Sequence, residues 1–287
     1  MKALEGLGVA LVTPFDIKGK IDYNGLSRLL KHTVKGGVDY WVVMGSTGEA
    51  ATISDDEQSE ILDFVAKNNP TNRPIVFGLG GNNTAAMQDR LGNLDLSKVT
   101  AVLSSSPAYN KPSQAGIIKH FTVLADHSPK PILLYNVPGR TASNMLASTT
   151  IELSKHQNIV GIKEASGDLL QIMEVIKGTP SDFIVTSGDD LLTTALLSVG
   201  GNGLISVLAN AKPKAFKKMV QSGLDGDFAT SRKEAFGLLK LNSLMYKEGN
   251  PAGVKELLKQ LGICGNTLRL PLVEASQELA QEIAKAI

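Results

Sequence analysis

Cysteine is nearly absent from this 287-residue chain, where Cys264 stands alone. One thiol excludes an intramolecular disulfide and fits a reducing compartment. It sits in Gly262-Ile263-Cys264-Gly265 without an activating neighbour and reads as an inert thiol. An excess of one charge is also missing: 29 Lys and Arg face 28 Asp and Glu, with both signs spread along the chain. That balance excludes the electrostatic footprint of a nucleic-acid binder or of a protein held on an anionic membrane, so a small-molecule partner is expected. No run approaches the length of a membrane span, and Met1 to Gly6 contains no signal-peptide core, so the expectation is a soluble cytoplasmic protein. The four histidines, His32, His120, His127 and His156, lack ligand spacing and fall in stretches of helical character. No metal is expected.

What the chain does contain is alternation. Gly8–Thr13 is a short β-branched run closed by Pro14, and Asp22–Lys35 then sets Leu26, Leu29, Leu30, Thr33 and Val34 on one helical stripe that Gly36-Gly37 ends. Strand candidates follow at 38–44, 74–79, 99–104, 131–136, 159–163, 183–187 and 203–207. Between and after them, helices are predicted over 55–67, 84–94, 113–126, 145–155, 169–177, 190–199 and 213–222. Ser54 and Glu57 form a capping-box pattern at the start of the first of these. Eight strand–helix units in about 220 residues match the count and unit size of a (β/α)₈ TIM barrel with a parallel sheet. An open doubly wound sheet would show fewer units and a glycine fingerprint after the first strand, which here ends in Thr13-Pro14-Phe15. The loose cluster Gly78-Leu79-Gly80-Gly81 reads as a turn. Beyond Ser222 the strand signals stop, and 227–247, 251–261 and 272–286 read as helices. The organisation is therefore a barrel over 1–223 with a C-terminal helical appendage over 224–287.

Barrel chemistry gathers at the C-terminal ends of the strands. The sixth strand candidate, Ile159 to Lys163, runs straight into a lysine, and Ser166, Gly167 and Asp168 turn the chain at once. A lysine there either snorkels to solvent or is a desolvated nucleophile able to form a Schiff base. After the second strand, Ser46 and Thr47 sit in the glycine-lined turn Gly45-Ser46-Thr47-Gly48-Glu49, which would cap a helix or hold a carboxylate. Tyr109 follows the fourth strand and Tyr135 ends the fifth, with Arg140 just beyond. A phenol beside a strand end usually packs, but a phenol near a lysine can relay protons, and an arginine fork suits a carboxylate. Ser187-Gly188-Asp189-Asp190 after the seventh strand is read as helix capping rather than a metal site.

Together, GSTGE (45–49), PAYNKP (107–112), YNVPGRT (135–141), GIKEAS (161–166), SGDD (187–190) and GLIS (203–206) resemble the dihydrodipicolinate synthase / N-acetylneuraminate lyase family across essentially the whole chain. The resemblance implies class I aldolase chemistry on pyruvate with no metal or organic cofactor. Arg140 in its motif resembles the branch that condenses pyruvate with aspartate semialdehyde. By that resemblance Lys163 forms the imine, Tyr135 is the acid/base, and Ser46 and Tyr109 complete a hydroxyl relay, with Tyr109 lent by a neighbouring subunit of a homodimer or homotetramer. Thr47 would hold the pyruvate carboxylate and Arg140 that of the semialdehyde, while Gly188 and Ile205 line the pocket through their backbones. Ser46 departs from the family's usual threonine. At the positions where feedback-inhibited members grip L-lysine stand Asp55, Gln58, Ala86 and Ala108, with Asn82 retained, so weak or no inhibition by L-lysine is expected. Another pyruvate-dependent aldolase, or a non-catalytic ligand-binding homologue, remains the alternative.

Overall fold

The computed structural model describes residues 1–287. Eight strands, β1 (Gly6–Ala10), β2 (Tyr40–Val43), β3 (Ile75–Gly78), β4 (Ala101–Ser105), β5 (Ile132–Asn136), β6 (Ile159–Glu164), β7 (Ile184–Ser187) and β8 (Gly203–Ser206), close into a barrel in sequence order. All neighbours pair in parallel, and β8 returns to β1. Most strands are shorter than the β-branched runs predict. The chain leaves the ladder at the rim to build loops, and Met44, directly after β2, already has a left-handed φ of 57°.

Helices α1 (Tyr23–Lys35), α2 (Asp55–Lys67), α3 (Thr84–Asn93) and α4 (Gln114–His127) follow the first four strands. Their starts obey capping chemistry. Asp22, Asn83 and Ser113 each accept a backbone N–H of the first turn, and Ser54 with Glu57 closes the full capping box. The second half carries α5 (Pro138–Thr141), α6 (Ala147–Leu153), α7 (Leu169–Gly178), α8 (Thr193–Ser198) and α9 (Pro213–Leu224). The one-turn α5, which holds Arg140, has too few residues to show a period and was not predicted. His156 lies in the turn after α6 rather than in a helix.

Strand alternation divides the apolar residues in two. One set, including Leu7, Val9, Trp41, Val43, Phe77, Leu134 and Ile162, packs outward against the helices in the large core. The other, including Ala10, Tyr40, Val42, Val76, Leu103, Leu133, Ile184 and Ile205, fills the barrel interior. Gly161 belongs to the inner set by alternation, and a side chain there would run into the Ile184 carbonyl and approach Leu133 Cδ1 to 3.0 Å. The space beneath Lys163 is thus occupied by neighbouring strands packed close, and glycine is what permits that approach.

The remaining helices are α10 (Phe228–Tyr246), α11 (Ala252–Gln260) and α12 (Gln277–Ala284). α10 packs along α9 and α8, and α11 lies against α12 and the single turn Leu208–Asn210 after β8. α12 starts at Gln277, where Ser276 caps it, and not at Leu272 as its apolar content suggests. No helix is long and apolar enough to cross a membrane.

Candidate active site

A cleft of about 1080 Å³ opens at the C-terminal end of the strands, between the β2 loop, the ends of β5 to β7 and the segment joining α10 to α11. Lys163 stands in its floor. Register places it directly beside Tyr135, and its Nζ lies 4.4 Å from the centre of the Tyr135 ring. Lys163 is 5% exposed, and its side-chain amine takes no part in the chain's salt bridges or side-chain hydrogen bonds. On the β7 side, a Cβ at Gly188 would approach Lys163 Cε to 3.0 Å and Ala165 Cβ to 2.7 Å. Glycine therefore keeps a path open along the lysine stem.

Ser46 and Thr47 enter the cleft on a single 3₁₀ turn, Ser46–Gly48. The turn is held from two directions. Thr13 Oγ1 donates to the Gly48 carbonyl (2.7 Å), and Asn250 Nδ2 donates to Thr47 Oγ1 (2.9 Å). Arg140 lines the cleft from α5 and donates to the Asn250 carbonyl (3.4 Å). Lys163, Tyr135, Ser46, Thr47, Arg140 and Gly188 thus face one space. Two other expected residues lie elsewhere. Ile205 is fully buried in the barrel interior, and Val207 lines the cleft after β8. Tyr109 is 89% exposed, with a left-handed φ of 73°, and does not line the cleft of its own chain. A left-handed tyrosine is strained, the mark of a loop held for its position.

The Asp189-Asp190 pair divides its work. Asp189 accepts the N–H groups of Leu191 and Leu192 in the turn that precedes α8, while α8 itself starts at Thr193 without a side-chain cap. Asp190 instead faces the β8 loop, accepting the Leu208 N–H (3.0 Å), and its burial pushes the carboxyl up to about 6. Glu164, on the outer side of β6, is also pushed up by burial. Asn136, Gln171 and the Ser166 N–H all donate to it, fastening β5, β6 and α7 together beneath the site.

Sequence reasoning missed the C-terminal contribution. Asn242, Tyr246 and Asn250 all line the cleft, and the side-chain oxygens of both asparagines are buried without a hydrogen-bond partner. Burial, and then the carboxylates of Asp190 and Asp189, raise the Tyr246 phenol. Asn250 lies in the short gap between the predicted helices 227–247 and 251–261, where nothing local marks it as a site residue. Arg90 was missed as well: its Nη2 donates to Asp55 Oδ1 (2.9 Å) and Gln58 Oε1 (3.0 Å) in an arm of the same cleft.

This chain is 46% identical over 286 residues to the 4-hydroxy-tetrahydrodipicolinate synthase of Cytophaga hutchinsonii, an alignment spanning 100% of this chain and 96% of that protein. It is 45% identical over 284 residues to the enzyme of the same name from Flavobacterium psychrophilum, spanning 99% and 97%. The crystal structure of dihydrodipicolinate synthase from Thermotoga maritima superposes with a TM-score of 0.95 at 34% identity, covering 98% of this chain and 97% of that one. The family model described as the Dihydrodipicolinate synthetase family matches residues 3–287, and the chain belongs to that family.

Proposed function

We propose that this protein is a 4-hydroxy-tetrahydrodipicolinate synthase, joining pyruvate to L-aspartate 4-semialdehyde by Schiff-base chemistry in lysine and diaminopimelate biosynthesis. The observation that carries the reading is Lys163: a buried amine with no ion pair, flanked by the Tyr135 ring and a glycine, in a cleft that also holds Thr47 and Arg140. Lys163 attacks C2 of pyruvate, and loss of water gives the imine. The imine takes up the electron pair left when a methyl proton departs, and the resulting enamine carbon adds to the semialdehyde's aldehyde carbon. The semialdehyde amine then attacks C2, expelling Lys163 and closing the ring.

Tyr135 moves the protons at Lys163, with Ser46 passing them toward solvent. Ser46 keeps the hydroxyl of the family's usual threonine but lacks the methyl that restricts its rotamer. Thr47 and the N–H groups of its turn take the pyruvate carboxylate, and Arg140 takes that of the semialdehyde. Gly188 gives access along the lysine. Ile205 offers main chain only, its side chain being packed inside the barrel. The outward Tyr109 supports a homodimer, or a homotetramer of such dimers, in which each copy's Tyr109 completes its partner's relay. The substrates are small central metabolites and no cofactor is called for, consistent with a cytoplasmic enzyme.

Weak inhibition by L-lysine is supported by Arg90, which already engages Asp55 and Gln58 and sets a fixed cation where a basic effector would bring its own. The test of the main reading is trapping. Incubation with pyruvate followed by borohydride should add the reduced pyruvyl group at Lys163, located by peptide mass mapping. No adduct there would refute the reading. Consumption of aspartate semialdehyde, and not cleavage of a keto-deoxy sugar acid, then distinguishes the synthase from a related aldolase.

A further inference from the structure

The turn that carries Ser46 and Thr47 is gripped from the far end of the chain. Asn250, at the foot of α11, donates to Thr47 Oγ1 (2.9 Å). Five residues on, Lys255 donates to Glu49 Oε1 and to the Thr267 carbonyl (2.8 Å), while the Arg269 N–H donates to Glu49 Oε2 (3.1 Å). Both side chains of the Lys255–Glu49 pair are wholly inaccessible. Lys255 Nζ also sits 4.3 Å from the Phe15 ring centre, and Arg269 covers the same ring at 4.5 Å while pairing with Glu57.

An ion pair of this kind is costly to desolvate and holds its geometry only when the remaining donors and acceptors are satisfied, as they are here. Glu49 itself has a left-handed φ of 58°, a strained backbone that surrounding contacts must hold. The two contacts fall on and just after the working residue: one lands on Thr47 itself and the other two residues later. A threonine hydroxyl rotates freely about its C–O bond, and a fixed N–H donor occupying one lone pair directs the hydroxyl proton elsewhere.

We propose that Asn250, Lys255 and Glu49 are positioning residues, through which α11 fixes the Thr47 hydroxyl and its turn for the pyruvate carboxylate. The proposal rests on the assignment of Thr47 above. The C-terminal helices are thereby part of the pyruvate site, acting through the β2 loop rather than by contact with pyruvate.

A double-mutant cycle on Asn250→Ala and Thr47→Val tests it, read as the pyruvate concentration that half-saturates borohydride trapping at Lys163, with melting temperature followed in parallel. Each single substitution is expected to raise that concentration about tenfold, the worth of one hydrogen bond, and the double substitution no further. In Asn250→Ala the rate of trapping at saturating pyruvate should change little. If Asn250→Ala fails to fold, the paired change Lys255→Met with Glu49→Gln, which strands neither charge, should raise the half-saturation in the same sense. Additive effects in the cycle, an unmoved half-saturation with only a lower melting temperature, or a rise confined to the semialdehyde KM would each overturn the proposal. An adduct that forms normally but whose half-saturation ignores Asn250 sinks this inference alone. Absence of any adduct in the unaltered protein sinks the functional reading along with it.

Discussion

Tyr135→Phe separates what the Tyr135 ring does from what its hydroxyl does. The ring packs beside Lys163 at 4.4 Å and is fixed by strand register, so phenylalanine keeps the buried area and the cation–ring contact. The hydroxyl makes no hydrogen bond within the chain, so its loss should leave stability within about 0.5 kcal/mol of the parent. Proton transfer is another matter. A positioned acid/base contributes about 10² to 10⁴ in rate, and imine formation, enamine formation and release of Lys163 each need a proton moved at the same place. A fall of about 10³ in kcat is expected, equivalent to roughly 4 kcal/mol at 1.36 kcal/mol per tenfold. The assay is steady-state condensation at saturating pyruvate and semialdehyde, with trapping followed over time. The adduct at Lys163 should still form, but slowly, because the nucleophile is intact. A kcat within about threefold of the parent, in a protein with the parent's melting temperature, would refute the assignment of Tyr135 as the proton carrier.

On the role proposed for Arg140, Arg140→Ala removes a charged partner from the semialdehyde carboxylate, worth about 2 kcal/mol. The semialdehyde KM should therefore rise roughly thirtyfold while the pyruvate half-saturation of trapping stays put. Equal rises in both would show that Arg140 shapes the whole cleft instead. Inhibition by L-lysine should not reach half at about 1 mM, an affinity worth about 4 kcal/mol, and a dose–response curve of condensation rate checks this. The Glu57 carboxyl is held down from 4.5 to about 2, chiefly by its hydrogen bonds from Arg269 and then by the capping-box contact with Ser54. A depressed carboxylate adds stability that is fully present above its ordinary value and drains away as pH falls toward 2. Urea midpoints of the parent should therefore lose their advantage over Arg269→Met between pH 4.5 and about 2. A gap independent of pH would mean that Arg269 stabilises through the Phe15 ring and its hydrogen bonds to the Gly19 and Thr52 carbonyls alone.

The fold was legible because its signals are local. A β-branched run, a turn residue, an N-cap and a helical stripe all lie within a dozen neighbouring positions, and eight repetitions of that unit leave little else for the chain to form. Lys163, Tyr135 and Arg140, which line one cleft, were legible as candidates for the same reason, since strand ends are where a barrel keeps its chemistry and each lies at or just past one. What was not legible joins distant segments: Asn250 meets Thr47 across 203 positions and Lys255 meets Glu49 across 206. The contacts of α11 are hidden in the sequence for a definite physical reason. Its apolar residues Val254, Leu257 and Leu258 suggest one buried stripe, which makes Lys255 and Glu256 look like its solvent face. Yet every residue from Ala252 to Leu258 is buried, because the helix is enclosed by the barrel loops on one side and α12 on the other. Within that buried stretch Lys255 and Glu256 cannot turn to water, so each needs a partner inside the protein, while Lys259 one turn on stays exposed. Glu256 accepts from Asn266 and Gln260, and Lys255 reaches Glu49. Glu256 is satisfied close by in the chain, whereas the partner of Lys255 lies at the end of the turn that carries Thr47.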